Sequence, residues 1–213
     1  MAFAATSCSP GEYSYSGNKP GTACPAGHYQ PGTGQTSCIP ASAGYYSYGS
    51  GSGGTGSTSH TPCAAGTYSA NTGASSCTAC WAGTYQDQQG QTSCKTIPSG
   101  SCSNGSGAKA PTTCPAGTYA ANTGATSCTP CSAGTYQDQT GQTSCKTIPS
   151  GSCSNGSGAS AHTPCPAGTY SANTGATTCT PCSAGTYQDR ESYCSLSISQ
   201  LTTDILMLLL GLQ

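Results

Sequence analysis

Large apolar side chains are spread along this chain in two unlike ways. Ahead of Leu196 the only aliphatic residues larger than Ala and Pro are Met1, Ile39, Ile97 and Ile148, and Cys and Tyr recur in their place. Tyr13, Tyr29, Tyr68, Tyr85, Tyr119, Tyr136, Tyr170 and Tyr187 each lie five residues after a Cys. The unit that carries most of them is C-x2-G-x-Y-x4-G-x3-C, at 24–38, 63–77, 80–94, 114–128, 131–145 and 165–179. A weaker version starts at Cys182, and Cys8 opens a longer one that reaches Cys24. Gly two residues before Tyr permits a tight turn or a positive φ angle, and Gly five residues after it permits a second reversal. The two Cys can then meet across a small hairpin-like loop, with the Tyr ring as the nearest thing to a core. The pattern predicts short strands, few regular ladders and almost no helix ahead of residue 195.

The end of the chain has a different pattern. LSISQLTTDILMLLLGLQ (196–213) contains all seven Leu residues. Ile198, Leu201, Ile205, Leu208 and Leu212 follow the 3-4-3-4 spacing of a coiled-coil seam. A buried strand over 205–210 fits almost as well. The run falls far short of the ~20 residues that span a bilayer. So apolar a tail needs a covering surface, expected on another chain. At the other end, MAFAATS is too short for a signal peptide, so a secreted chain would take its leader from outside this sequence.

A longer repeat encloses the short unit. Cys63, Cys114 and Cys165 are 51 residues apart, and so are Cys77, Cys128 and Cys179, then Cys80, Cys131 and Cys182. Segment 63–113 is identical to 114–164 at 42 of 51 positions. The division expected is 1–38, N-terminal cysteine-rich units; 39–62, a Gly/Ser/Tyr-rich linker; 63–113 and 114–164, two full repeats; 165–194, a partial third; and 195–213, the apolar tail. The stretch 94–114 reads as a Gly/Ser spacer between stapled units.

Composition explains why a sequence so poor in aliphatics can fold. The chain has 17 Cys, 30 Gly, 14 Pro, 33 Ser, 32 Thr and no Val, with a net charge of −1. Too few aliphatics are present to offset roughly 1–2 kcal/mol of backbone entropy per residue, which excludes a conventional enzyme core. Cys at about 8% marks a disulfide scaffold instead. Closing a loop of about 15 residues contributes roughly 3 kcal/mol. Persistent disulfides imply an oxidising, extracellular setting. The five cations are scattered, which leaves no basic patch for nucleic acid or an anionic membrane.

The run CPAGTYSANTGATTCTPCSAGTYQD (165–189) resembles the ephrin-receptor-like cysteine-rich repeat. It is similar, more distantly, to the cysteine-rich modules of tumour necrosis factor receptors. The resemblance covers roughly 8–38 and 63–194. It implies an elongated extracellular rod of irregular loops and short β-hairpins, made of small disulfide-rich repeats and without a catalytic site.

Pairing each short unit internally gives Cys24–Cys38, Cys63–Cys77, Cys80–Cys94, Cys114–Cys128, Cys131–Cys145, Cys165–Cys179 and Cys182–Cys194. Cys8, Cys102 and Cys153 are left over. Cys102 and Cys153 hold the same repeat position, and an odd total suggests a bond to a neighbouring chain. The alternatives are a bond to each other in a folded-back chain, or a shuffled pair such as Cys94–Cys102. The CxxC pairs 77/80, 128/131 and 179/182 raise zinc, but tetrahedral closure needs two such pairs in a suitable spacing. No metal or cofactor is expected.

Candidates for catalysis are thin. His28, His60 and His162 do not recur at equivalent positions. Asp87, Asp138 and Asp189 do recur, in TYQD, where a turn-bracing carboxylate is expected. Calcium would want more carboxylates than each unit offers. Covalent glycans are expected instead, with N-glycosylation at Asn104 and Asn155 in equivalent Asn-Gly-Ser sequons and O-glycans on Ser/Thr of 43–62. Without glycans, Tyr45, Tyr46 and Tyr48 would be exposed aromatics. The function indicated is non-enzymatic: a glycosylated extracellular subunit that assembles with copies of itself into a filament, appendage or surface coat. The alternative is the ectodomain of a receptor or adhesin.

Overall fold

In a computed structural model the protein is described over residues 5–188 and 193–196. Eleven two-stranded antiparallel hairpins follow one another along the described residues, with a single 3₁₀ turn at Ser52–Gly54. The fold class expected from the sequence is the one found: small disulfide-rich hairpin repeats with almost no helix. The tail positions Ile198, Leu201, Ile205, Leu208 and Leu212, and Asp189, lie outside the described residues.

Each hairpin is built the same way. Thr67–Tyr68 pairs with Thr78–Ala79, and Thr135–Tyr136 pairs with Lys146–Thr147. Ahead of the first strand the chain reverses in a four-residue turn, closed by Thr67 N donating to Ala64 O at 3.0 Å. Gly66 takes the third position of that turn with φ +89°, a backbone hand that residues with a Cβ rarely adopt. The Thr after this Gly has its own reason to be there. Its hydroxyl donates to the same carbonyl, at 2.8 Å for Thr67 and 2.7 Å for Thr135.

The chain forms two compact units. One comprises residues up to 98 with 102–112 and 123–126; the other comprises 99–101, 113–122 and 127 onward. Within the first, backbone bonds link each hairpin to the next. Gly44 N donates to Ser69 O (2.8 Å), Gly66 N to Gln86 O (2.7 Å) and Gly90 N to Cys63 O (2.8 Å). Within the second, Gly117 N donates to Gln137 O (2.7 Å), Gly158 N to Cys131 O (2.7 Å) and Gly175 N to Ile148 O (2.8 Å). Successive hairpins in each unit are thus rungs that satisfy loop groups of their neighbours. Strands of two residues suffice because the ladder runs between rungs as well as within them.

The rung is 17 residues long, so the 51-residue repeat is three rungs. Cys63, Cys80 and Ile97 are buried at this spacing in the first unit, and Cys114, Cys131, Ile148 and Cys165 in the second. Ile97 and Ile148, each 0% exposed, therefore stand where other rungs have a Cys. This changes the reading of the Gly/Ser spacer. The stretch 94–114 contains a hairpin, Ser101–Cys102 with Thr112–Thr113, and its later copy is Ser152–Cys153 with Thr163–Pro164. The segment 39–62, expected as a linker, also contributes a rung through Tyr45–Tyr46 paired with Thr61–Pro62.

Candidate functional site

Seven disulfides are closed: Cys24–Cys38, Cys63–Cys77, Cys80–Cys94, Cys114–Cys128, Cys131–Cys145, Cys165–Cys179 and Cys182–Cys194. Their Cα atoms are 5.6–5.8 Å apart. The first Cys of a pair precedes the glycine turn and the second follows the loop, so the hairpin register brings both to one side. Because Cys94 bonds Cys80, the shuffled pair Cys94–Cys102 does not form.

The three remaining cysteines have distinct settings. Cys8 is buried, and its thiol donates to Ser14 Oγ at 3.3 Å and Asn18 O at 3.2 Å. Cys102 and Cys153 are half-buried on first strands of their rungs. They fall 17 residues after Tyr85 and Tyr136, so each replaces the rung's Tyr. In the second unit Cys153 Sγ lies 2.8 Å from Cys179 Sγ. The sulfurs of Cys153, Cys165 and Cys179 all lie within 4.8 Å of one another. Cys153 and Cys179 also line an open groove of about 430 Å³, with Asn155, Thr163 and Thr178.

The recurrent tyrosines Tyr29, Tyr68, Tyr85, Tyr119, Tyr136 and Tyr170 are half-buried on first strands. In five of these six rungs the next residue is a Gln or Ser that holds the loop, whereas Tyr119 is followed by the buried Ala120. Gln86 is buried; its Nε2 donates to Ser93 O (2.8 Å) and its Oε1 accepts from Gln88 N (3.1 Å). Gln137 repeats this with Ser144 O and Gln139 N. Where Ser stands instead, its hydroxyl donates to the carbonyl of Asn71 or Asn173, both at 3.1 Å. The loop is therefore braced by this Gln or Ser, a role the sequence reading gave to the Asp one residue further on. Asp87 and Asp138 instead reach across the hairpin to Lys95 and Lys146, each at 2.6 Å. The lysine ammonium holds each carboxyl below its ordinary range, and each lysine is raised in return. Each ammonium also sits 5.8 Å from a Tyr ring centre, Tyr85 or Tyr136. The same charged and aromatic group is thus presented at a 51-residue interval.

His60 is packed between Tyr29 and Tyr45, with ring centres 4.7 and 4.5 Å apart. His162 meets Tyr136 edge-on at 5.0 Å. Tyr45 and Tyr46 are half-buried, whereas Tyr48 is exposed. Asn104 and Asn155 are both exposed, on the loops of the two rungs that carry Cys in place of Tyr. A Cβ placed on Gly105 or Gly156 inside the sequons would meet nothing within 4 Å.

A stack of small hairpins, each entered through a glycine turn and seven of the eleven described tied by a disulfide, defines a cysteine-rich repeat protein. Residues 66–114 and 117–165 match the family model described as tyrosine-protein kinase ephrin type A/B receptor-like. Two ephrin-receptor-like repeats are therefore present, and the hairpins between Glu12 and Pro62 lie ahead of them in the chain. No curated protein matches the chain. Among the described residues, no helix is long and apolar enough to cross a membrane.

Proposed function

We propose that the protein is a non-enzymatic, extracellular structural subunit, glycosylated on its rung loops, that assembles with copies of itself into a filament or surface coat. The observation that carries this reading is the repetition of one outward surface. Lys95–Asp87 over Tyr85 recurs as Lys146–Asp138 over Tyr136 with the same distances. A chain that carries the same patch in both of its 51-residue repeats suits a partner that carries it too, and a second copy of the chain is such a partner. The disulfides call for an oxidising compartment. Exposed Asn104 and Asn155, with open space around the following glycines, leave room for glycans.

A second reading, the ectodomain of a receptor or adhesin, rests on one divergent rung. The Tyr29–His60–Tyr45 stack and exposed Tyr48 occur once and offer an aromatic surface to a ligand. Electron microscopy of the secreted chain, with its mass measured before and after N-glycosidase, separates the two. Regular fibres or sheets and a mass loss are expected. Monodisperse particles at every concentration would overturn self-assembly, and an unchanged mass would remove the N-glycans.

A further inference from the structure

The cluster formed by Cys153, Cys165 and Cys179 has no counterpart in a rung that keeps its Tyr. A Tyr ring takes no part in sulfur exchange, whereas a thiol at the same place faces the next rung's disulfide. Cys153 Sγ is 2.8 Å from Cys179 Sγ, and Cys179 is bonded to Cys165. The third sulfur lies within 4.8 Å of both. The nucleophile and both possible leaving groups of an exchange reaction are therefore held side by side by the stacking of two rungs.

We propose that these three cysteines form an intramolecular thiol–disulfide exchange site, in which one disulfide moves among three sulfurs. Cys153 gives its proton to solvent and the thiolate attacks Cys179 Sγ. The Cys153–Cys179 bond forms as the Cys165–Cys179 bond breaks. Cys165 leaves as a thiolate and takes up a proton. One disulfide and one thiol are present before and after, so neither oxidant nor reductant is consumed.

Two further features fit this chemistry. Cys153 and Cys179 both line the open groove, so solvent can accept and return the proton. Cys165 is only 9% exposed, so exchange moves the thiol from the groove wall to a buried position. The site thereby has an open form, reactive toward outside reagents, and a closed form that shields its thiol. The stack imposes this geometry: Cys153 and Cys179 are 26 residues apart and meet because their rungs are adjacent.

The test traps both pairings. The whole chain is incubated between pH ~6 and ~8.5, quenched in acid and denatured. Its thiols are labelled with a maleimide below about pH 6, and it is digested with pepsin so that exchange stays suppressed. Two products are expected: Cys165–Cys179 with label on Cys153, and Cys153–Cys179 with label on Cys165. Their interconversion should quicken about tenfold per pH unit while the thiol form dominates, because only the thiolate attacks. Cys153→Ser should remove the label from Cys165. A label confined to Cys153 at every pH would overturn the proposal, as would a label on Cys165 that survives Cys153→Ser. A second variant, Cys165→Ser, should pair Cys153 with Cys179 under the conditions that oxidise the native chain. Two titratable thiols at those positions would refute the shared cluster independently.

Discussion

Ile148→Ala tests the idea that an aliphatic side chain substitutes for a disulfide in one rung of three. Ile148 is 0% exposed and sits at the position that Cys131 and Cys165 hold in the flanking rungs. Truncation removes three carbons, at about 0.8 kcal/mol each for lost burial. The cavity left behind brings the expected cost to roughly 2–5 kcal/mol. No disulfide closes this rung: its second Cys position is His162. Local opening is therefore the expected response, and it is read at two amides. Ile148 N donates to Gly134 O at 3.1 Å, and Gly175 N donates to Ile148 O at 2.8 Å. At about 1.4 kcal/mol per factor of ten, hydrogen-exchange protection at these amides should fall by about thirtyfold or more. Global denaturation is a poorer readout, since a stack of repeats need not unfold in one step. Ile39→Ala is the control: Ile39 is 42% exposed on a rung that keeps its disulfide, and the change should stay within about 1 kcal/mol. A loss of protection below tenfold in Ile148→Ala, or equal losses in the two variants, would refute the substitution argument.

Two other predictions concern the rung's construction. Gly134→Ala should cost more than about 1 kcal/mol by thermal or denaturant unfolding, because φ is +81° and a Cβ there collides with the Gly175 carbonyl. Gly156→Ala, in open space and with its sequon preserved, should change stability by less than about 0.5 kcal/mol. NMR titration should show the Asp138 carboxyl below its ordinary range, and Lys146→Ala should bring it back up, since the ammonium is the main cause of the shift. A carboxyl lowered on folding stabilises the fold above its unfolded pKa, and that contribution is lost as pH falls through the folded value. Loss of this contribution therefore belongs to strongly acidic solution, and a loss near neutrality would contradict the pairing.

Some of this architecture was legible because its chemistry is unmistakable in one dimension. Cys63 and Cys77 announce a staple by their residue type, and Gly66 marks a turn because few other residues accept its backbone angle. The 17-residue rung was harder to see through 94–114, where Ile97 replaces a Cys and Cys102 replaces a Tyr. A search keyed to residue identity stops there, although burial does not distinguish a sulfur from an aliphatic group of similar size. The spacing held the signal: Cys80, Ile97 and Cys114 are evenly placed, as are Tyr85, Cys102 and Tyr119. Gln86 and Asp87 show the same limit on a smaller scale. Both are polar neighbours in a loop, and only the fold decides that Gln86 turns inward to the loop carbonyls while Asp87 crosses to Lys95.

The sequence by itself determined the staples, the glycine turns, the lack of a conventional core and the repeat that makes every rung alike. Local spacing suffices for these, because both cysteines of a pair lie in one hairpin. Stacking decided the rest. Backbone bonds from rung to rung turn the apparent spacers into hairpins and bury Ile148. They also bring Cys153 against Cys179 across two loops, a contact between neighbouring rungs that no spacing within a single rung encodes.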